Sequence, residues 1–200
     1  MPKSGILSSR NESTACGILL FGLNGCGKTT LGRELARVLG FYPIDHENYA
    51  FEPSALPYAA PCPPADCVRL MLADIQSRGS FVLSAVTSDF GEEITAMLAL
   101  AVLLEVPAEV RLQRVEEREF RRYGERIFEG GDLFAQHRQF TNFARSRPAE
   151  PIERWARTLP CPLLHIGVRA SCAKNAARFP WQSKAAARTL SRRRLVKPIP

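Results

Sequence analysis

One eight-residue segment near the amino end restricts the possible folds of this chain more than any other feature. Residues 22–29 read GLNGCGKT and follow the pattern G-x-x-x-x-G-K-[ST] of a phosphate-binding loop. That pattern indicates a phosphate-binding loop only when it lies between a strand and a helix, and the sequence predicts both. The apolar run 17–21 is typical of a buried strand, and apolar residues at helical spacing fill 30–39 before Gly40.

A loop of this kind binds phosphate through its backbone. Successive N–H groups and the start of the following helix surround the β- and γ-phosphates of a nucleotide. Lys28 would bridge the β- and γ-oxygens, and the Thr29 hydroxyl would bind Mg²⁺. The alternative is a glycine-rich turn before a helix. We therefore predict a site for ATP and Mg²⁺ whose nucleotide-binding residues include Gly22, Leu23, Asn24, Gly25, Cys26, Gly27, Lys28, Thr29 and Thr30.

Strand and helix patterns alternate along the rest of the chain. Further strands are predicted at 41–44, 81–86, 100–106 and 162–166, with helices between them. Residues 46–64 contain five prolines and no periodicity, so they are predicted as a loop or an irregular lobe. Such alternation predicts an α/β fold: a five-stranded parallel sheet with helices on both faces.

Charge divides the chain into two parts. The formal net charge of +7 comes from residues 167–200, which hold nine Lys or Arg and no acid, whereas 1–166 hold eighteen basic and twenty acidic residues. We expect one domain over 1–166 and a partly disordered basic tail over 167–200. A basic tail can bind nucleic acid weakly, but the sequence shows no motif that recognises a nucleic-acid sequence. We therefore regard nucleic acid as an unlikely partner, and binding through the tail remains an alternative.

Cysteine spacing and hydropathy indicate the compartment. The six cysteines show no paired C-x-x-C spacing, so neither a zinc site nor a disulfide framework is expected. No apolar run reaches the roughly 18 residues of a membrane span, and residues 1–13 do not resemble a secretory signal. We expect a cytoplasmic protein with reduced thiols and no membrane partner.

Five arginines mark one face of the helix predicted over 108–123. At about 100° per residue, they fall within an arc roughly 100° wide. Acidic residues of the same helix are expected to project outside that arc. When the positive and negative side chains of a helix lie on different faces, they cannot form the stabilising i,i+4 ion pairs. The arginine arc therefore indicates either contacts to phosphate or plain surface charge. The arginines are Arg111, Arg114, Arg118, Arg121 and Arg122, and the acids are Glu109, Glu116, Glu117 and Glu119.

The start of this helix carries a family resemblance. The run VPAEVRLQR at 106–114, continuing to Arg118, resembles the segment before the lid of adenylate kinase and shikimate kinase-like enzymes. The resemblance implies a sheet order of 2-3-1-4-5 and a mobile lid at about 119–131. It also implies that Arg114 lies at the nucleotide base and that Arg118 contacts the transferring phosphoryl group, as a catalytic residue beside Lys28. Residues 122–132 resemble uncharacterised bacterial kinase-like proteins often labelled AAA family ATPases.

Acidic residues follow the second predicted strand. Asp45-His46-Glu47 resembles the D-x-D of shikimate kinase-like proteins. By that resemblance Asp45 would be catalytic, binding the hydrated Mg²⁺ and accepting a substrate hydroxyl proton, and Glu47 would contact the substrate. The alternative is an Asp-stabilised turn after a strand. Ser84 stands where adenylate kinases have an Asp, which favours the small-molecule kinase arrangement.

The region expected to receive the acceptor, residues 46–67, contains no Lys or Arg. Acceptors that already carry phosphate are usually held by arginine, so a non-phosphorylated hydroxyl acceptor is the better fit. We therefore expect a small-molecule kinase that uses ATP. The alternatives are an ATP-binding or ATP-hydrolysing protein without transferase activity and nucleic-acid binding through the tail.

Overall fold

The computed structural model describes residues 15–52, 60–87 and 89–167. The expected tail lies outside the described residues from position 168 onward, and so does part of the proline-rich segment, at 53–59. Their predicted character stays a prediction.

Five parallel strands form one sheet in the order β2-β3-β1-β4-β5. This confirms the α/β fold class and the strand order implied by the family resemblance. The strands are β1 Gly17–Phe21, β2 Tyr42–Asp45, β3 Phe81–Ala85, β4 Leu98–Glu105 and β5 Leu163–Gly167. The helices are α1 Lys28–Leu39, α2 Glu47–Ala50, α3 Pro64–Arg78, α4 Gly91–Met97, α5 Ala108–Tyr123, α6 Phe134–Ser146 and α7 Glu150–Ala156, with a 3₁₀ helix at Gly124–Ile127.

Two apolar clusters cover the two faces of the sheet. Because neighbouring residues of a strand point to opposite faces, Leu19 and Phe21 of β1 join one cluster, while Ile18 and Leu20 join the other. Helix α1 covers the second cluster, and α3, α4 and α7 contribute to the first. Strands β1 and β3 are buried along their whole length. The loop that follows β1 therefore starts from the most rigid part of the fold.

Helix α1 approaches β3 closely through Gly32. A Cβ atom at Gly32 would lie 2.4 Å from the Ser84 hydroxyl oxygen. The same hydroxyl donates to the Lys28 carbonyl oxygen at 3.3 Å. The close approach places the first turn of α1 against the carboxyl end of β3.

One local prediction needs correction. Residues 47–50 form the short helix α2, where only a loop or an irregular lobe was expected.

The contact at Gly32 leads to the first prediction. Alanine normally stabilises a helix relative to glycine by about 1 kcal/mol, but here the added methyl group overlaps the Ser84 hydroxyl. We expect Gly32→Ala to destabilise the protein by about 1–3 kcal/mol in urea unfolding. In a Ser84→Ala background, where the next nearest atom is 3.5 Å away, the same substitution should be neutral or stabilising. Equal effects in both backgrounds would contradict this packing.

Candidate functional site

The loop between β1 and α1 turns through backbone conformations that favour glycine. Gly25 and Gly27 have φ angles of +82° and +95°, and Gly27 directly precedes the first residue of α1. The left-handed backbone conformation of Gly27 turns the chain so that the amino end of α1 faces the loop. Amide groups at such a helix start attract anions.

Lys28 lies over this loop. Its side chain is largely buried, with the residue 8% exposed, and its ammonium donates to the Leu23 carbonyl oxygen at 3.3 Å. The Cys26 sulfur lies 3.9 Å from the same ammonium. Thr29 and Thr30 follow in the first turn of α1. Thr29 is half-buried, and Thr30 is exposed. The loop thus holds one cation and two hydroxyl groups beside its helix start.

The first turn of α5 presses directly on the loop. Arg111 is 5% exposed, and its guanidinium donates to the Asn24 carbonyl oxygen at 3.0 Å. A Cβ at Gly25 would lie 2.2 Å from the Arg111 carbonyl oxygen. Arg111 was assigned only to the cationic face. Its burial under the loop depends on how α5 packs, and its sequence position alone carries no signal for it.

The next two arginines of α5 occupy different surroundings. Arg114 is half-buried, and within the described part of the chain one of its terminal nitrogens is buried without a hydrogen-bond partner. Arg118 binds Glu119, with Nε and Nη2 at 3.1 and 3.0 Å from one carboxylate oxygen. Glu119 was expected to project outside the arginine arc. Its buried carboxylate nevertheless reaches Arg118, on the side where α5 and α6 line one cavity.

The predicted lid range, 119–131, contains the end of α5, the 3₁₀ helix and a turn. Its mobility stays a prediction.

Asp45 and Glu47 stand at the carboxyl end of β2. The Asp45 carboxylate accepts the Glu47 N–H at 3.3 Å, which is the turn contact that the alternative interpretation expects. Burial raises the pKa of Glu47, and the Asp45 charge adds to this, while Lys28 and Arg118 oppose it. The charges of Asp45, Lys28 and Arg118 therefore all influence the pKa of Glu47.

The donor set fits a magnesium ion held partly by phosphate. No cluster of three or more His, Cys, Asp or Glu suited to a metal occurs within 15–52, 60–87 and 89–167. Mg²⁺ at phosphoryl-transfer sites needs only one or two protein groups, since substrate phosphates and water complete its shell. The Thr29 hydroxyl beside the loop and the Asp45 carboxylate are the residues that would hold it.

A cleft of about 570 Å³ opens beyond the carboxyl end of β3. Its wall includes the rings of Phe90 and Trp155, which contact each other edge to face with centroids 5.9 Å apart. Trp155 also contacts Phe21, the last residue of β1, and His46 contacts Phe90. Two rings of the cleft wall thus contact the last residue of β1 and the residue after β2.

One cation lines this cleft. Arg147, between α6 and α7, donates to the Thr87 hydroxyl at 3.4 Å, and burial lowers its pKa. Hydroxyl groups of Thr95 and Thr158 and the Asp89 carboxylate also line it. Residues 46–67, where the acceptor was expected, contain no Lys or Arg. The cleft receives its arginine from a segment eighty residues further along, which chain order does not reveal.

Comparisons with known proteins agree on the fold. No protein-family model matches the chain. The uncharacterised protein YqaC of Bacillus subtilis (strain 168) is 28% identical over 159 residues, which cover 74% of this chain and 86% of that protein. A gluconokinase from Sinorhizobium meliloti 1021 superimposes with a TM-score of 0.50 at 15% identity, over 90% of this chain and 95% of its own. The shikimate kinase from Acinetobacter baumannii, solved with shikimate, gives 0.46 at 18% identity over 92% and 97%.

This chain thus shares the α/β fold of that gluconokinase. None of the helices in the described residues is long and apolar enough to cross a bilayer. The resemblance to proteins labelled AAA family ATPases stays a prediction.

The raised pKa of Glu47 leads to the second prediction. At pH values just above 4.5, the ordinary pKa of this carboxyl group, Glu47 is ionised in the unfolded chain. In the folded chain it still holds its proton there, because its pKa is raised. Stability contributed by the site therefore falls as the pH rises through that window. We expect uncharged Glu47→Gln to be more stable than wild type at pH 7 to 8, with the difference disappearing below about pH 4. The measurement is urea unfolding without nucleotide across this pH range, and a difference independent of pH would contradict it.

Proposed function

We propose that this protein transfers the γ-phosphoryl group of ATP to a hydroxyl group of a small, non-phosphorylated acceptor. One observation carries the proposal: Asp45 at the end of β2 pairs in register with Ser84 of β3, whose hydroxyl donates to the Lys28 carbonyl oxygen at 3.3 Å. The acids after β2 therefore lie beside the first turn of α1, where the loop supplies the Lys28 ammonium. Phosphoryl transfer needs that combination, since cations balance the phosphates and a carboxylate orients the nucleophile.

Each group has a role in the proposed reaction. The loop amides and Lys28 hold the β- and γ-phosphates, and Arg114 holds the base. Asp45 accepts the proton of the acceptor hydroxyl as its oxygen bonds to the γ-phosphorus. The bond from that phosphorus to the β,γ-bridging oxygen breaks, and ADP leaves. Arg118 neutralises the charge that develops on the transferring group. Bound Mg²⁺, held by Thr29 and Asp45, would supply further charge neutralisation.

The acceptor is proposed to occupy the cleft beyond β3 and to extend from it toward Glu47. Arg147 would pair with one anionic group of the acceptor, and the threonine hydroxyls and Asp89 would bind its hydroxyl groups. The half-buried Trp155 side chain offers apolar surface to its carbon skeleton. A small hydroxy acid fits this lining better than a neutral polyol does.

The five cysteines of the described residues form no disulfide, which supports the cytoplasm as the proposed compartment.

The third prediction tests the nucleotide site. Lys28→Ala removes the cation that lies over the loop, so ATP affinity should fall by roughly tenfold or more. Arg33→Ala on the exposed side of the same helix is the matched control and should leave affinity unchanged. Calorimetric titration with ATP measures both, with circular dichroism to confirm the fold. Wild-type affinity in Lys28→Ala would reject the loop as the phosphate site.

The fourth prediction tests transfer and the acceptor class. We expect ADP formation with one or more small hydroxy acids, and less with the neutral polyols of matching length. Arg147→Gln should raise the KM for the active acid by roughly tenfold while changing kcat little, because this contact lies away from the reacting oxygen. Arg145→Gln, an exposed arginine two residues earlier, is the control.

Two results would count against this proposal. ATP binding without phosphoryl transfer to any of the hydroxy acids or polyols tested would favour an ATP-dependent regulatory protein instead. Transfer that is equally fast with neutral polyols, and insensitive to Arg147→Gln, would reject the acid-binding cleft.

A further inference from the structure

Arg111 is a buried cation on a helix whose other arginines are half-buried or exposed. The residue is only 5% exposed, and its Nη1 group donates to the Asn24 carbonyl oxygen at 3.0 Å, across 87 residues of chain. Burying a guanidinium is unfavourable unless hydrogen bonds or opposite charge replace its hydration. Glu105 and Glu153 line the same cavity of about 130 Å³ as Arg111, so the buried cation has acidic neighbours.

The hydrogen bond fixes the peptide group that joins Asn24 to Gly25. The described residues contain no cis peptide bond. In a planar trans peptide the carbonyl oxygen and the amide hydrogen point in opposite directions. Because the Asn24 carbonyl points to the Arg111 guanidinium, the Gly25 N–H points away from it.

The backbone of Arg111 restrains the same peptide group. Gly25 has a φ angle of +82°, and a Cβ atom there would lie 2.2 Å from the Arg111 carbonyl oxygen and 3.0 Å from a Val115 methyl carbon. The first turn of α5 therefore packs directly against the Gly25 Cα, while the Arg111 side chain binds the preceding carbonyl. Rotation of the peptide would break the hydrogen bond and disturb this packing.

We propose that Arg111 is a positioning residue that holds the Gly25 N–H toward the phosphates of a bound nucleotide. The inference rests on the proposed function, in which the loop is the phosphate site. Phosphate is bound there by N–H groups that all turn inward, and a glycine peptide rotates more readily than others. With Arg111 in place, the orientation is set before the nucleotide arrives, so less conformational entropy is lost on binding. A cation at the carbonyl oxygen also polarises the peptide and strengthens its N–H as a donor.

The test measures the ADP affinity and the Gly25 amide signal of the full chain. ADP with Mg²⁺ is titrated by calorimetry, and the Gly25 amide proton is followed by NMR on isotope-labelled protein. In the wild type this proton should move downfield as its N–H binds phosphate. Arg111→Met keeps most of the side-chain volume but removes the charge and the donors. It should bind ADP about tenfold more weakly and show less than about half of the downfield shift at saturation.

Three further variants complete the comparison. Arg33→Met makes the same change at an exposed position of α1 and should match the wild type in both measurements. Arg111→Gln is neutral and too short to replace the guanidinium, so it should show the same losses as Arg111→Met and covers the case in which that variant does not fold. Arg111→Lys restores the charge and a donor and should lie between Arg111→Met and the wild type.

A full downfield shift of Gly25 at saturating ADP in Arg111→Met or Arg111→Gln would overturn the inference, because Arg111 would then support the fold without orienting the amide. Equal losses in Arg33→Met would also overturn it, since they would indicate a general effect of charge. In both cases the proposed function stands if Lys28→Ala still loses nucleotide affinity. If ADP leaves the Gly25 amide of the wild type unshifted, the loop is not the phosphate site and the proposed function fails as well.

Discussion

The site depends on the direct contact between the phosphate-binding loop and the first turn of α5. Gly25 has no side chain, so the Arg111 carbonyl oxygen can approach its Cα, and the buried Arg111 guanidinium binds the Asn24 carbonyl oxygen from the same side. A buried cation without partners would be unfavourable, so this arrangement joins helix and loop as one unit. The first turn of α5 is positioned relative to the loop by that contact.

The parallel sheet brings the remaining groups to the same place. Its strands end at one edge, where the loop follows β1 and where Asp45 and Glu47 follow β2. Aromatic contacts connect these ends with the cleft wall, since Trp155 touches both Phe21 and Phe90, and Phe90 touches His46. In open α/β sheets, ligands bind in the crevice outside the carboxyl ends of the strands.

The strand β1, the glycine-rich loop and α1 could be predicted because their pattern is contiguous in the sequence, and Asp45 could be placed at the end of a strand. The roles assigned to these residues stay predictions. The burial of Glu119 and its contact with Arg118 could not be predicted, since helical angles give the direction of a side chain but not which neighbouring helix covers it. Arg147 could not be assigned to the cleft, because its link to Thr87 spans sixty residues of chain.

The sequence alone determined the α/β class, the strand pattern and a phosphate-binding loop before α1, because these depend on short-range periodicity and on the backbone freedom of glycine. The tertiary structure alone decided which charges meet. It placed Arg111 beneath the loop, turned Glu119 toward Arg118 and brought Lys28 and Arg118 within electrostatic reach of Glu47. Such pairings depend on helix packing between distant segments, and burial then changes how strongly each charge acts.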